Sequence, residues 1–160
     1  MSAMGSEFTH LDESGAARMV DVSGKSVSAR SATATGFVRL SDECVGLLRA
    51  GGVPKGDALS VARIAGIMGA KRTPDLVPLC HPIALHGVAV ELAVRDEGVA
   101  ISATARTADR TGVEMEALTS VTVAALALVD MVKAVDPAAV ITDVRVEEKL
   151  GGKTGAWRRA

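Results

Sequence analysis

The chain has 160 residues, 48% of them apolar, with a formal net charge of −1. That length suits one domain with a real core, and the near-neutral balance leaves no global pull toward nucleic acid or an anionic membrane. Phe8, Phe37 and Trp157 are the whole aromatic content, so a core must be built from Val, Ala, Leu, Ile and Met. The two cysteines, Cys44 and Cys80, offer no disulfide framework, which fits a reducing cytoplasm. No signal-peptide pattern is visible. The longest uncharged helical run, residues 117–129, is too short to span a bilayer. The letters MGSEF read as an expression-vector scar, so residues 1–8 are set outside the fold.

Residues 9–31 hold many small polar side chains and one short apolar stretch, MVDVS, and read as an N-terminal arm. ATATGFVRL (32–40) has the Thr, Val and Phe content of a strand. Ser41 is a candidate N-cap for a short helix with Asp42 and Glu43 in its first turn, ended by Gly51 and Gly52. Asp57 can cap the next helix, where Val61, Ile64, Ala65 and Met68 form an apolar stripe. Gly66 and Gly69 would weaken that helix in isolation, so close packing against another backbone is expected there. Thr73 and Pro74 read as an N-cap with proline at the first helical position.

A hairpin follows. Val88, Val90, Leu92 and Val94 alternate, as do Val99, Ile101, Ala103 and Ala105, with RDEG (95–98) as the turn. Thr111 and Glu114 make a capping-box pattern, and an almost wholly apolar helix runs from there to about Val135, stopped by Asp136-Pro137. A helix apolar on nearly every side calls for a partner chain. A last strand covers 140–146, and 151–160 is a glycine-rich tail. The order is βαββαβ. This predicts an α+β, ferredoxin-like domain over 32–150: an antiparallel sheet with helices on one face, plus the arm and a short extra helix.

VPLCHPIAL (77–85) places Cys80 beside His81 between two prolines. A metal site, a nucleophile with its base, a buried structural pair and a pocket wall all remain open from the residues alone. Neighbours on an extended chain point apart, which disfavours a shared ion. Neither a base nor an oxyanion hole for a nucleophile is evident. GGKTG (151–155) is not a P-loop, because Glu147 stands where that pattern needs glycine. Its amides and Lys153 still suit a phosphate. Asp130 and Lys133 lie three apart on one face of the apolar helix, as an acid–base device or an interface ion pair. Glu116, left unexplained by the capping box, lies about 40° around and roughly 21 Å along the helix from Asp130. A carboxylate there suits the adjacent donors of a guanine-like edge.

THLDESGAARMVDVS, KGDALSVARIAGIMGAKRTPDLVPLCHPIAL, TGVEMEALTSVTVAALALVDMVKAV and EKLGGKTG occur in order over residues 9–155. Together they resemble the cyclic pyranopterin monophosphate synthase family, the molybdenum cofactor biosynthesis protein C family. The resemblance implies a lyase that turns 3′,8-cyclo-7,8-dihydroguanosine 5′-triphosphate into cyclic pyranopterin monophosphate, releasing pyrophosphate. It implies ferredoxin-like subunits in a cytoplasmic homohexamer, a trimer of dimers with sites at subunit contacts. By motif, Asp130, Lys133 and Lys55 match the catalytic positions. Leu79, Cys80, His81, Glu114, Met115, Glu116 and Lys149 match substrate-binding positions, with His81 hydrogen-bonding substrate and Cys80 giving shape. Arg30, Lys71 and Arg72 match basic positions for the triphosphate. Pro74 stands where the family pattern has a bulky aromatic. No metal ligand set and no redox cofactor is implied, Mg²⁺ assistance is left open, and neither nucleic acid nor membrane is expected as a partner. A non-catalytic nucleotide-binding regulatory module is the alternative. An RNA-binding module on the same topology would need aromatics on its sheet, which this chain lacks.

Overall fold

The computed structural model describes residues 9–160, so the vector-scar reading of residues 1–8 lies outside it. Strand β1 (Ser28–Arg39) starts inside the stretch read as an arm. Helix α1 (Asp42–Ala50) is capped as expected: Ser41 accepts the Cys44 N–H at 3.2 Å, and Gly51, at φ 70°, ends it. Asp57 likewise caps α2 (Ala58–Lys71) by accepting the Ser60 N–H at 3.1 Å. The short α3 (Thr73–Leu76) differs from expectation, because Arg72, not Thr73, is its N-cap. Thr73 is buried, and its hydroxyl donates back to the Ala70 carbonyl at 2.9 Å. It satisfies the end of α2 instead of the start of α3.

The predicted hairpin forms as β2 (Gly87–Arg95) and β3 (Gly98–Asp109), with Val99, Ile101, Ala103 and Ala105 all buried. The long helix α4 (Glu114–Val132) is shorter at its C-terminal end than the periodicity suggests. Its capping box does not form. Val113 is the N-cap, which leaves Thr111 two residues too early, and the Glu114 carboxylate turns to Lys149 at 3.4 Å. At the other end the buried Asp136 carboxylate accepts the Ser41 N–H at 2.7 Å and the Ala138 N–H at 3.0 Å. One side chain thus ties the exit of α4 to the entry of α1.

Strand β4 (Val140–Gly151) runs past the predicted strand, and a two-residue β5 (Trp157–Arg158) pairs with it from the tail. The sheet is antiparallel throughout, in the order β2-β3-β1-β4-β5. Its first four strands make the ferredoxin-like arrangement, and β5 adds an edge.

Helix α4 lies across β1, β3 and β4, and α2 packs along α4. By length and composition α4 would pass as a membrane span, but half of it is buried in this fold. The core is small-residue and aliphatic: Val38, Val99, Ile101, Val121, Leu128 and Val132 are fully buried. Without aromatic spacers the two helices come close. A Cβ added at Gly66 would sit 3.0 Å from the Ser120 carbonyl, and one at Gly69 would sit 2.8 Å from Val123 Cβ. The expectation of close backbone packing at these glycines therefore holds.

The apolar stripe of α2 does not face the core. Ala58, Ala62, Gly66, Gly69 and Ala70 are buried, whereas Val61, Ile64 and Met68 are exposed. The helix presents its small residues to α4 because only they allow the approach, and the larger aliphatics are left outside.

Candidate functional site

The N-terminal end of α4, the 77–81 turn and the β4–β5 pair enclose a cavity of about 690 Å³. Leu79, Cys80, His81, Glu114, Met115 and Lys149, all expected at the site, line it. The Cys80 N–H donates to the Val77 carbonyl at 3.1 Å, so this is a turn rather than an extended run. Cys80 and His81 still have different partners. The Cys80 thiol donates to Glu116 Oε1 at 3.7 Å, and His81 Nε2 pairs with the Val20 carbonyl. The arm residue Val20 is thereby fastened to the cavity wall. Burial, reinforced by the Glu116 carboxylate, pushes the Cys80 thiol up to about 11. At neutral pH it is a thiol, which suits a wall residue better than a nucleophile.

Glu116 lies beneath this wall. It is 1% exposed, and burial pushes its carboxyl above the ordinary range. Its Oε2 and the Ser120 hydroxyl, one helical turn apart, are buried with no hydrogen-bond partner in the described structure. The carboxylate that faces the cavity is therefore Glu114, and Glu116 reaches it only through Cys80.

A second depression of about 750 Å³ adjoins the first, sharing Thr111, Gly112, Glu114 and Lys149. Lys25, Arg30, Lys149 and Lys153 bring four cations to it, beside Gly24 and the Gly151-Gly152 turn. Arg30 is oriented by its own hydrogen bonds, Nε to the Asp109 carbonyl at 3.2 Å and Nη2 to the Arg110 carbonyl at 3.4 Å. Gly152, beside the Arg30 guanidinium, sits at φ 80°, a left-handed backbone conformation that favours glycine. Cations and glycine-rich backbone at one place make an anion-binding surface. Lys25 and Lys153 had only a generic lysine or phosphate signal in the sequence. Trp157 and His10, which line the first cavity, had none beyond the rarity of their residue types.

Lys55, Asp130 and Lys133 form a separate group at the far end of α4. Asp130 Oδ1 lies 2.8 Å from Lys133 Nζ and 3.4 Å from Lys55 Nζ, which also donates to the Asp130 carbonyl at 2.9 Å. The two lysines, Lys133 first, hold the Asp130 carboxyl below its ordinary range. Within one chain the group is open to solvent, with Asp130 and Lys133 side chains 58% and 60% exposed. Lys71 and Arg72 line neither cavity, and Arg72 lies 3.8 Å from Asp75. Among the described residues no cluster of three or more His, Cys, Asp or Glu is placed to hold a metal ion.

A ferredoxin-like α+β domain with a mixed acid, thiol and imidazole cavity opening onto a cationic depression is built to take an anionic small molecule. The chain belongs to the MoaC family, whose family model matches residues 19–152. It is 69% identical over 153 residues to a cyclic pyranopterin monophosphate synthase of Streptomyces coelicolor, covering 96% of this chain and 90% of that protein. A protein of the same name from a Nocardioides species is 67% identical over 99% of both chains. Cyclic pyranopterin monophosphate synthase 2 of Mycobacterium tuberculosis is 58% identical, covering 96% of this chain and 92% of that protein.

Proposed function

We propose that the chain is a cyclic pyranopterin monophosphate synthase, a phosphorus–oxygen lyase that converts 3′,8-cyclo-7,8-dihydroguanosine 5′-triphosphate into cyclic pyranopterin monophosphate and pyrophosphate. The observation that carries this reading is the junction of the two cavities at Glu114 and Lys149. It offers room for a purine-derived ring on one side and four cations for a triphosphate on the other. Glu114, His81, Leu79 and Met115 contact the ring. Cys80 shapes the wall as a neutral thiol, and Glu116 supports it from beneath. Arg30 and Lys149, with Lys25 and Lys153, hold the phosphates. As a substrate hydroxyl attacks the α-phosphorus, these cations stabilise the charge that leaves with pyrophosphate.

The ring opening and reclosure need proton transfers, and Asp130 with Lys55 and Lys133 supplies them. Glu116 and Asp130 stand roughly 21 Å apart along one helix, so one chain cannot bring both groups to one ring. A second copy supplies the other end. Val61, Ile64 and Met68 on α2 and Leu126 on α4 are exposed aliphatics that support such assembly. The reading carries a homohexamer built as a trimer of dimers, in which Lys71 and Arg72 of one copy serve a neighbour's triphosphate, in the cytoplasm. Incubation with enzymatically prepared cyclo-dihydro-GTP tests the reaction. Pyrophosphate and an oxidisable fluorescent pterin should appear together; binding without either product would instead fit a regulatory module.

A further inference from the structure

The chain holds one tryptophan, two phenylalanines and no tyrosine. That tryptophan is not spent on the core, which is aliphatic. Trp157 is 42% exposed and lines the first cavity with Leu79, His81, Met115 and Lys149. It lies on β5 in register opposite Lys149, the residue shared by the two cavities. Its strand is held at its C-terminal end as well as by the pairing. The Arg159 N–H donates to the Glu147 carbonyl and Arg159 Nε to the Val146 carbonyl, each at 2.8 Å. The same guanidinium sits 5.6 Å from the centre of the Trp157 ring, fixing the indole by a cation–π contact.

An indole fixed in a cavity wall, beside a cationic phosphate surface, is a stacking platform. Every nucleobase has a π-face, and stacking on a tryptophan adds affinity without reading hydrogen bonds. Glu114 and His81 on the same cavity then supply the polar discrimination. We propose that Trp157 is a substrate-binding residue that stacks on the planar aminopyrimidinone ring of a guanine-derived nucleotide. The strand register between Trp157 and Lys149 would then set the spacing between the ring and its phosphates. This inference rests on the reaction proposed above.

Because Trp157 is the sole tryptophan, its emission reports this contact alone. GTP, used as a stable probe, should change the emission saturably, whereas inorganic triphosphate should displace GTP yet leave the emission unchanged on its own. Trp157→Phe should keep KM for cyclo-dihydro-GTP within about threefold. Trp157→Leu, which keeps apolar bulk without a ring face, should raise KM about tenfold with kcat nearly unchanged. Wild-type KM in the leucine variant, or GTP bound by calorimetry with no emission change, would overturn the stacking role. If the wild-type protein turns over no cyclo-dihydro-GTP, the proposed reaction falls. Wild-type turnover with an indifferent Trp157→Leu overturns this inference alone, and the GTP emission measurement tests stacking without any turnover.

Discussion

At the scale of single residues, the buried Glu116 and the exposed Asp130 are opposite cases. Burial raises the Glu116 carboxyl above its ordinary 4.5. The native state therefore keeps this proton to higher pH than the unfolded chain does. Its contribution to stability is complete below about 4.5 and is lost as pH rises through the folded value. Glu116→Gln should consequently flatten the fall in urea midpoint as pH rises from about 5, because the amide cannot ionise. An unchanged slope in the glutamine variant would place the proton elsewhere. Asp130 is shifted the other way, by Lys133 and Lys55, so its contribution is present above the ordinary carboxyl value of 3.8 and lost as pH falls through the folded one. That pair is solvated within the chain, so it adds little to stability. Lys133→Ala and Lys55→Ala should each cut turnover by about 10²–10⁴-fold while thermal midpoint and oligomer size stay at wild type. Wild-type rates in both variants would remove the lysines from proton transfer.

At the scale of elements, the contact between α2 and α4 decides the fit of the helical layer. Glycine costs a helix about 1 kcal/mol relative to alanine, so Gly69→Ala would stabilise an isolated α2. In the fold its new methyl meets the stiff Val123 side chain at 2.8 Å. Overpacking of this kind costs about 1–3 kcal/mol, so Gly69→Ala should lower the unfolding free energy in a denaturant titration. A gain in stability would mean that the helices can separate freely. Much of this layer was legible in the sequence: the caps at Ser41 and Asp57, the hairpin, and the need for close approach at Gly66 and Gly69. The direction of the α2 stripe was not. Periodicity finds two faces on a helix, and it assigns the larger side chains to the core by default. Here the distance to α4 admits only Ala and Gly, which reverses the assignment. The capping-box pattern misled for a related reason. Its residues have the right spacing, but the N-cap falls two residues later than Thr111, and Glu114 pairs with Lys149, distant in sequence.

At the scale of the whole molecule, the division of the proposed site between the two ends of α4 makes a prediction about pairing. Glu114→Ala and Lys133→Ala remove a cavity carboxylate and a lysine of the Asp130 group from opposite ends of the same helix. If one site takes its two ends from two chains, refolding a mixture of the variants should restore activity, up to about a quarter of wild type for random pairing in a two-fold dimer. Each variant refolded alone should stay inactive. Mixed oligomers verified by mass spectrometry with no recovered activity would assign both residues to one chain's site.

By itself the sequence determined the order of the first four strands and of the helices, the ferredoxin-like class and the residue types that mark the family. These depend on local signals: alternation along strands, caps, glycine and proline positions, and motifs short enough to be read along the chain. Tertiary structure decided which carboxylate reaches the cavity, since α4 turns Glu114 outward and buries Glu116 under Cys80. It brought Lys25 and Lys153 beside Arg30 and Lys149 through the pairing of β1 with β4. It also carried Trp157 back from the tail to the cavity wall through two residues of β5. A side chain's neighbours across a sheet are set by register and packing between distant segments, and no local periodicity encodes them.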